Sequence, residues 1–202
     1  MKDTVNVAVL VSGGGTNLQA IIDAQKSGII KSAKIGLVIS SNPDAYALTR
    51  AEINKIPAKV ISKKIYGDKT ESEIIKALKK YDIDLIVLAG YMSILSKGFT
   101  SRFQKRIINV HPSLIPSFCG EGFYGLKVHK EALKKGVKVT GATVHFVNEI
   151  PDGGEIIAQK AVKVLDGDTP ESLQKRVMKL AEWKIFPKAV EDVAERILKG
   201  EI

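Results

Sequence analysis

The sequence predicts an α/β protein built on a mostly parallel, twisted sheet that is flanked by helices. Short runs rich in Val, Ile and Leu alternate with longer amphipathic segments. Most of these runs are apolar at nearly every position, so both faces of the strands must be covered. Two later runs lie only a short turn apart and predict an antiparallel C-terminal strand region. A long helix is expected to close the chain.

Seven runs are expected to form the strands. They are short and rich in β-branched residues, which favours strands over buried helices. In chain order they span residues 5–12, 34–40, 58–62, 84–90, 106–111, 141–147 and 155–164.

The first two amphipathic segments carry start and stop signals of helices. After the first strand, Asn17 is suited to cap a helix and Gly28 to end it. The Asn42-Pro43 turn precedes a helix that we expect to start near Asp44.

Two further helices are predicted, over 70–81 and from about Pro170 to the end of the chain. Thr70 and Glu73 have the spacing of a capping box. The expected apolar stripes are Ile74, Leu78 and Tyr81 in the first helix, and Leu173, Val177, Leu180, Val190, Val193 and Ile197 in the second.

The length of 202 residues fits a single domain over 1–202 that needs neither disulfide nor metal to fold. Cys119 is the one cysteine, which suggests a reducing compartment. No charged leader with an apolar core opens the sequence, and no apolar run approaches ~20 residues. We therefore expect a cytoplasmic protein that does not span a membrane.

The net charge of +9 has two interpretations. The simpler one is a solvated, lysine-rich surface; the other is attraction of anionic partners, either small phosphates or nucleic acid. The lysines occur in pairs spread along the chain, with few aromatic residues among them, and this pattern does not favour nucleic acid.

The polar residues of interest follow strand ends. In a parallel sheet with right-handed crossovers, all strands end at one edge, and ligands bind there near the point where strand order reverses. Residues 13–17, 90–95 and 109–113 each follow an expected strand, so we expect them to meet at this edge.

The stretch SGGGTNL (12–18) joins the first strand to a helix. Glycines and free N–H groups at a helix start bind phosphate, although such a turn also occurs without a ligand. Leu18 stands where a dinucleotide-binding fingerprint has its third glycine, and no Gly-Lys-Ser/Thr follows as in an NTPase loop. A single phosphate group therefore fits better than a pyrophosphate.

The three histidines do not predict a metal site. His111, His129 and His145 lack the i, i+4 pairing of helical zinc sites. His145 alternates with apolar neighbours and is interpreted as a core or supporting residue. His129 opens a helical segment and is interpreted as a cap or surface residue.

A nucleophilic mechanism is also disfavoured. Cys119 or Ser113 would need an adjacent base and a third group to orient that base. Cys119 lies in a glycine-rich loop without an evident base.

His111 and Asn109 instead form a candidate catalytic pair. They lie two residues apart at a strand end, so both side chains point to the same side, and Pro112 and Pro116 restrict the backbone that follows. An amide beside an imidazole suits a developing oxyanion. Asp152, in a turn before two glycines, is either a turn residue or a carboxylate that holds His111 protonated and receives protons through water.

Five stretches, in this order and spacing, resemble phosphoribosylglycinamide formyltransferases, and the resemblance covers nearly the whole chain. It implies a Rossmann-like formyltransferase fold and a transferase of purine biosynthesis. The implied reaction is direct attack by the amine of glycinamide ribonucleotide on the formyl group of 10-formyltetrahydrofolate, a co-substrate, through a tetrahedral intermediate without a metal. The stretches are GGGTNLQAII, AGYMSILS, INVHPSLIPSF, HFVNEIPDGGEII and GDTPESLQKRV.

The resemblance also implies roles for single residues, with a ribonucleotide-binding half over 1–105 and a catalytic and folate-binding half over 106–202. The implied catalytic residues are Asn109, His111 and Asp152. The implied ribonucleotide-binding residues are Gly14, Gly15, Thr16, Asn17 and Glu182, with one extra residue in the local spacing before Glu182. The implied folate-binding residues are Met92, Ser93, Ile94, Leu95, Val147, Asn148, Glu149 and Ile150.

Three features depart from the family pattern. Ser93 stands where some members have arginine, Lys127 replaces a common histidine, and the loop over 119–125 is longer than in the shortest members. Of these, Ser93 bears on contacts to the folate tail.

Two classes of alternative function remain. One is another formyl-handling folate enzyme, either methionyl-tRNA formyltransferase or formyltetrahydrofolate deformylase. These usually carry an extra domain, and the former has a basic Arg-Gly-Ala-Ala stretch where residues 117–119 read Ser-Phe-Cys. The other is a non-catalytic nucleotide- or RNA-binding module. For the favoured function we expect small-molecule partners, no nucleic acid, and a monomer or homodimer.

Overall fold

The structure, a computed structural model, describes residues 2–202. Seven strands form a single sheet in the order β3-β2-β1-β4-β5-β6-β7. Both halves of the chain contribute strands to this sheet. The strands are β1 Val5–Val11, β2 Ala33–Ser40, β3 Ala58–Val60, β4 Leu85–Leu88, β5 Ile107–His111, β6 Val139–Phe146 and β7 Ile156–Lys163.

The sheet is parallel from β3 to β5 and antiparallel from β5 to β7. This confirms the predicted mostly parallel sheet with an antiparallel C-terminal region. The strand order reverses at β1, because the chain first moves outward to β2 and β3 and then returns to β4 on the other side. The ends of β1, β4 and β5 therefore lie side by side, which is where a ligand site is expected.

Alternate residues of the central strand β1 enter two separate cores. Val7 and Val9 pack in a larger core with the first and last helices, whereas Ala8 and Leu10 pack on the opposite face. All four are fully or almost fully buried. This two-sided burial explains why the run is apolar throughout.

Eight α-helices cover the sheet within residues 2–202. Two short ones, at Lys63–Tyr66 and Lys97–Arg102, were not predicted from the sequence because they lack a long apolar period. The helices are α1 Thr16–Lys26, α2 Tyr46–Ile53, α3 Lys63–Tyr66, α4 Thr70–Lys80, α5 Lys97–Arg102, α6 Leu126–Lys135, α7 Pro170–Val177 and α8 Trp183–Leu198.

Two predicted helix caps are wrong. The cap of α1 is Gly15 in a left-handed conformation, and Asn17 lies inside the helix with its side chain bonded elsewhere. The cap of α4 is Lys69, and the Thr70 hydroxyl donates backward to the Gly67 carbonyl instead of accepting from Glu73. In each case the polar side chain makes another hydrogen bond instead of a cap: Asn17 with Glu182 and Thr70 with Gly67.

The predicted C-terminal helix is interrupted by a π-helical turn over Met178–Glu182, which separates α7 from α8. A π turn takes up more residues per turn than an α-helix, so the apolar stripe shifts by one position. Ala181 is therefore fully buried and Leu180 is 46% exposed. The expectation that Leu180 faces the core is wrong for this reason.

No helix within residues 2–202 has the length and apolar character needed to cross a membrane.

Candidate active site

A cleft of about 800 Å³ opens at the carboxyl edge of the sheet, where β1, β4 and β5 end. The loop after each of these strands lines it, as predicted from the sequence. The lining also includes residues 120–125 and 151–152, one side chain of α6, and three side chains from α7 and the π turn: Gln174, Met178 and Glu182.

The glycine loop over 13–15 forms one end of the cleft. Gly15 adopts φ +69, and a Cβ there would approach the Cβ of Ala47 to 2.7 Å, so only glycine fits. Within the described chain, the backbone N–H groups of residues 13–18 donate to no protein acceptor. Free donors of this kind at a helix start are suited to an anion.

Asn17 and Glu182 form a buried pair beside this loop. The Asn17 amide Nδ2 donates to Glu182 Oε2 at 2.7 Å, and Asn17 Oδ1 is buried without a partner. Burial raises the pKa of the Glu182 carboxyl, and the Asn17 amide only partly offsets this. The pair therefore places at the cleft a carboxyl group that can hydrogen-bond to hydroxyl groups.

His111 lies at the end of β5 and is 4% exposed. Its Nε2 is 2.8 Å from the Phe118 carbonyl, which can only accept, so Nε2 carries the proton. Its Nδ1 faces Asp152 Oδ2 at 3.4 Å. The imidazole is thus oriented from both sides by the chain.

Asn109 is oriented by His145, which lies directly opposite it in the β5–β6 register. His145 Nδ1 donates to the Phe146 carbonyl at 2.8 Å, so in the neutral ring Nε2 is free to accept. Asn109 Nδ2 approaches this Nε2 at 3.2 Å. His145 therefore acts as a supporting residue through a specific contact. Its tautomer determines how the side-chain amide of Asn109 is oriented.

Asp152 is the group that both histidines share. Its Oδ1 is 3.5 Å from His145 Nε2, and its Oδ2 accepts from the Gly120 N–H at 2.9 Å. Burial raises the pKa of the Asp152 carboxyl, but His145, His111 and the Gly120 N–H together outweigh burial and hold it below its ordinary value. Asp152 is therefore ionised at neutral pH.

The expectation that Asp152 holds His111 protonated is not supported by the balance of causes. Burial is the largest effect and lowers the pKa of His111, while Asp152 and the Phe118 carbonyl raise it less. The net pKa lies below the ordinary 6.5. The resting imidazole is therefore neutral near pH 7, and the carboxylate instead stabilises the imidazolium that forms when His111 takes up a proton.

The expected folate-binding residues divide into two groups. Met92, Ser93 and Ile94 line the cleft, and the Met92 N–H donates to the Ser12 hydroxyl at 2.9 Å. Leu95 and Val147 instead pack against the second core.

The turn over 148–150 lies just before the cleft-lining residues 151–152. Asn148 Oδ1 accepts from the Ile150 N–H at 2.9 Å, which shapes the turn that presents Asp152 with φ +54. Glu149 is exposed in this turn. The folate-binding role of both groups stays a prediction.

His129 was expected to be a cap or surface residue, and this is wrong. It lies in the first turns of α6, is 0% exposed and borders the cleft, and neither ring nitrogen has a hydrogen-bond partner among residues 2–202. Burial, with a smaller contribution from His111, lowers its pKa to about 4. The apolar neighbours Val128 and Ala132 were not enough to predict that His129 is buried. Whether a helical residue is buried depends on which elements pack against that side of the helix.

The two possible nucleophiles are engaged elsewhere. The Ser113 hydroxyl is fully buried and donates to the Ser117 carbonyl at 2.6 Å. The Cys119 thiol donates to the Pro116 carbonyl. Burial raises the pKa of this thiol, and the negative charge of Asp152 raises it further. Neither group has the base that nucleophilic catalysis requires.

The long loop over 119–125 forms one wall of the cleft. Gly120, Gly122 and Gly125 all have positive φ, and the Lys127 ammonium lies 5.8 Å from the centre of the Phe123 ring. Lys127 is exposed and does not border the cleft. The replacement at this position therefore leaves the cleft lining unchanged.

This chain is similar to known proteins in both sequence and structure. A formyl transferase family model matches residues 5–190. Phosphoribosylglycinamide formyltransferase of Haemophilus influenzae is 43% identical over 195 residues, which cover 96% of this chain and 89% of that protein. Glycinamide ribonucleotide transformylase 1 of Symbiobacterium toebii superposes with a TM-score of 0.89 at 40% identity, covering 96% of this chain and 90% of that one.

A longer relative matches only in part. Trifunctional purine biosynthetic protein adenosine-3 of Homo sapiens is 47% identical over 195 residues, and the chain spans only 19% of its length. The family model and the similar proteins nevertheless extend over nearly all of this chain. The chain belongs to the formyl transferase family, in the group of the phosphoribosylglycinamide formyltransferases.

Proposed function

We propose that this enzyme transfers a formyl group from 10-formyltetrahydrofolate to the amine of glycinamide ribonucleotide in de novo purine biosynthesis. The observation that carries the proposal is the convergence of Asn109, His111 and Asp152 in one cleft with the glycine loop. A formyl acceptor that carries a phosphate requires both parts, and the cleft joins them.

The ribonucleotide fits the end of the cleft formed by the glycine loop. The free N–H groups of residues 13–18, among them Gly14 and Thr16, suit the phosphate. The buried Asn17–Glu182 pair suits the ribose hydroxyls, because the Glu182 carboxyl group borders the cleft and can hydrogen-bond to them.

The formyl donor fits the other end of the cleft, along residues 91–94 and 151–152. Met92 and Ile94 are large apolar side chains that are 55% and 80% exposed at its border. Such side chains gain from covering a flat ring system. The folate supplies the activated formyl carbon, and the chain positions that carbon near the catalytic residues.

The catalytic residues stabilise charge that develops on the formyl oxygen. Attack by the amine forms a C–N bond and a tetrahedral oxyanion, to which Asn109 and His111 are suited to donate. In the structure His111 Nε2 donates to the Phe118 carbonyl at 2.8 Å, so donation to the oxyanion requires that the oxyanion replaces this acceptor.

The neutral imidazole of His111 then accepts, through water, the proton that the attacking amine loses. The resulting imidazolium is next to the ionised Asp152, which lowers the cost of forming it. The oxyanion collapses, the bond to the folate nitrogen breaks, and that nitrogen takes up a proton. No covalent intermediate on the enzyme is needed.

The decisive experiment incubates the protein with both substrates and follows the release of tetrahydrofolate with and without the ribonucleotide. We expect release that depends strictly on the ribonucleotide. Equal release without it would indicate a deformylase, and formylation of methionyl-tRNA instead would indicate the tRNA enzyme. RNA binding with steep salt dependence and no formyl transfer would favour a binding module.

The proposal includes a cytoplasmic location, small-molecule partners without nucleic acid, and a monomer or homodimer. Sedimentation of the purified protein at several concentrations tests the last point.

A further inference from the structure

Helix α2 supports the glycine loop from the side away from the cleft. The Ala47 N–H donates to the Gly13 carbonyl at 3.1 Å, and Arg50 Nε donates to the Gly14 carbonyl at 2.8 Å. Ala47 also fills the space beside Gly15 where any side chain would clash. Two successive loop carbonyls are therefore held toward α2.

This contact determines which way the loop peptides point. A peptide carbonyl and the N–H of the same peptide plane point in opposite directions. Because α2 holds the Gly13 and Gly14 carbonyls, the Gly14 and Gly15 N–H groups face the opposite way, on the side of the loop that lines the cleft. Neither N–H donates to a protein acceptor within residues 2–202.

Arg50 itself is fixed by three contacts. Besides Gly14, its Nη1 donates to Gln19 Oε1 at 3.0 Å, and its guanidinium lies 5.0 Å from the centre of the Tyr46 ring. In the described part of the chain no carboxylate forms an ion pair with it. A positive charge without a counter-ion therefore lies one peptide away from the proposed anion site.

We propose that Arg50 is a positioning residue that sets the affinity of the glycine loop for the phosphate monoester of the substrate. It fixes the Gly14 peptide, and its charge polarises that peptide so that the Gly15 N–H becomes a stronger donor. The inference rests on the proposed function, because it assumes that the ribonucleotide phosphate binds this loop. Arg50 is not among the residues that line the cleft, so we expect its effect to be confined to binding.

The test combines substitution of Arg50 with removal of the substrate phosphate. Arg50→Met keeps the aliphatic stem against Gly15 and removes both donors and the charge. We expect it to raise KM for the ribonucleotide about tenfold, with kcat and the folate KM unchanged. Arg50→Lys keeps the charge but not the pair of donors, and its KM for the ribonucleotide should lie between those of the wild type and Arg50→Met. Arg102→Met removes an exposed arginine outside the cleft and controls for net charge.

The dephosphorylated glycinamide riboside distinguishes positioning from a general loss of structure. If Arg50 acts through the phosphate, Arg50→Met should leave the KM of the riboside within twofold of the wild-type value. An equal rise for both substrates, or no rise for the ribonucleotide, would overturn the inference.

Binding of inorganic phosphate separates this inference from the proposed function. In the wild-type protein, phosphate should shift the NMR signals of the Gly14 to Asn17 amides, and Arg50→Met should weaken its binding about tenfold. Absence of these shifts in the wild type would overturn the phosphate loop and this inference together. Equal phosphate affinity in wild type and variant would overturn only the role of Arg50.

Discussion

His111 has a hydrogen-bond acceptor on each side of its ring, the Phe118 carbonyl and the Asp152 carboxylate. Nε2 donates to the Phe118 carbonyl at 2.8 Å, whereas Nδ1 is 3.4 Å from Asp152. A charge-assisted N–H···O bond is shorter, about 2.7–2.9 Å, so the longer distance fits a neutral ring whose Nδ1 carries no proton. Uptake of a proton would create the missing donor, and this makes the pair a proton acceptor coupled to an oxyanion donor.

His111→Ala and Asp152→Asn should each cut turnover at least tenfold and leave ribonucleotide binding nearly intact. Both side chains line the cleft but belong to segments other than the glycine loop that is proposed to hold the phosphate. Steady-state kinetics that separate kcat from KM provide the measurement. Wild-type turnover in either variant would refute the proposed roles, and the folding of each variant is checked by its thermal unfolding.

Asn17→Ala should raise the ribonucleotide KM several-fold, with a smaller effect on kcat. The substitution removes the donor that orients Glu182 and the unpartnered oxygen beside the loop, and it leaves a buried carboxylate without its hydrogen bond. Gln25→Ala, about two turns further along α1, exposed and outside the cleft lining, serves as a control for an amide lost from the same helix. An unchanged KM in Asn17→Ala would show that the pair does not contact substrate.

The predictable part of the site follows from alternation along single strands. Asn109 and His111 could be identified because they share a face at a strand end. The contacts of the Phe118 carbonyl with His111 and of the Gly120 N–H with Asp152 could not be predicted. Both are made by backbone groups, which every residue type carries, so the sequence does not reveal them. The Asn109–His145 contact depends on the β5–β6 register, which the sequence does not specify.

At the scale of elements, the π turn over Met178–Glu182 changes the helical period just before α8. A turn with an i→i+5 hydrogen bond accommodates one more residue than an α-helical turn. The apolar residues before and after it can therefore still face the same core. Leu173 and Val177 before the turn and Phe186 and Val190 after it are all buried. The sequence could predict these stripes but not the phase shift between them, because an ideal helical period was assumed throughout.

Deleting Lys179 should convert the π turn into regular α-helix without unfolding the protein. Lys179 is exposed, and its removal restores the α-helical period across the junction. Glu182 would then be presented to Asn17 at a different angle, so we expect a several-fold higher ribonucleotide KM with a thermal midpoint within a few degrees of wild type.

Replacement of Lys179 by Ala retains the chain length and is the control for this deletion, and it should behave as wild type. A deletion variant with normal KM would mean that the π turn has no part in substrate binding.

For the whole molecule, the order of strands accounts for the site better than any single motif does. Residues 13–17, 90–94 and 109–111 are far apart in sequence but lie at or just after the ends of β1, β4 and β5, which are neighbours in the sheet. Apolar runs and the handedness rule predicted that these ends would share an edge. The burial of His129 was not predicted, because it depends on how α6 packs beside the cleft.

The unpartnered His129 should make the stability of the whole molecule depend on pH. Its pKa is about 4 in the folded chain, against an ordinary 6.5. As pH falls from 6.5 toward 4, the unfolded chain binds a proton at this site that the folded chain does not, so the free energy of unfolding falls. The full shift would contribute roughly 3 kcal/mol, and we expect about 2 kcal/mol to be lost by pH 4.5.

His129→Leu isolates this contribution. Leucine does not titrate and leaves no buried nitrogen without a partner, so the variant should be at least as stable as wild type at pH 7 and should lose less stability on acidification. Urea unfolding at pH 7 and pH 4.5 gives a pH difference for each protein, and the carboxylates that titrate in both proteins cancel when these differences are compared. Identical pH differences would show that His129 is protonated in the folded chain or paired with a group that offsets its burial.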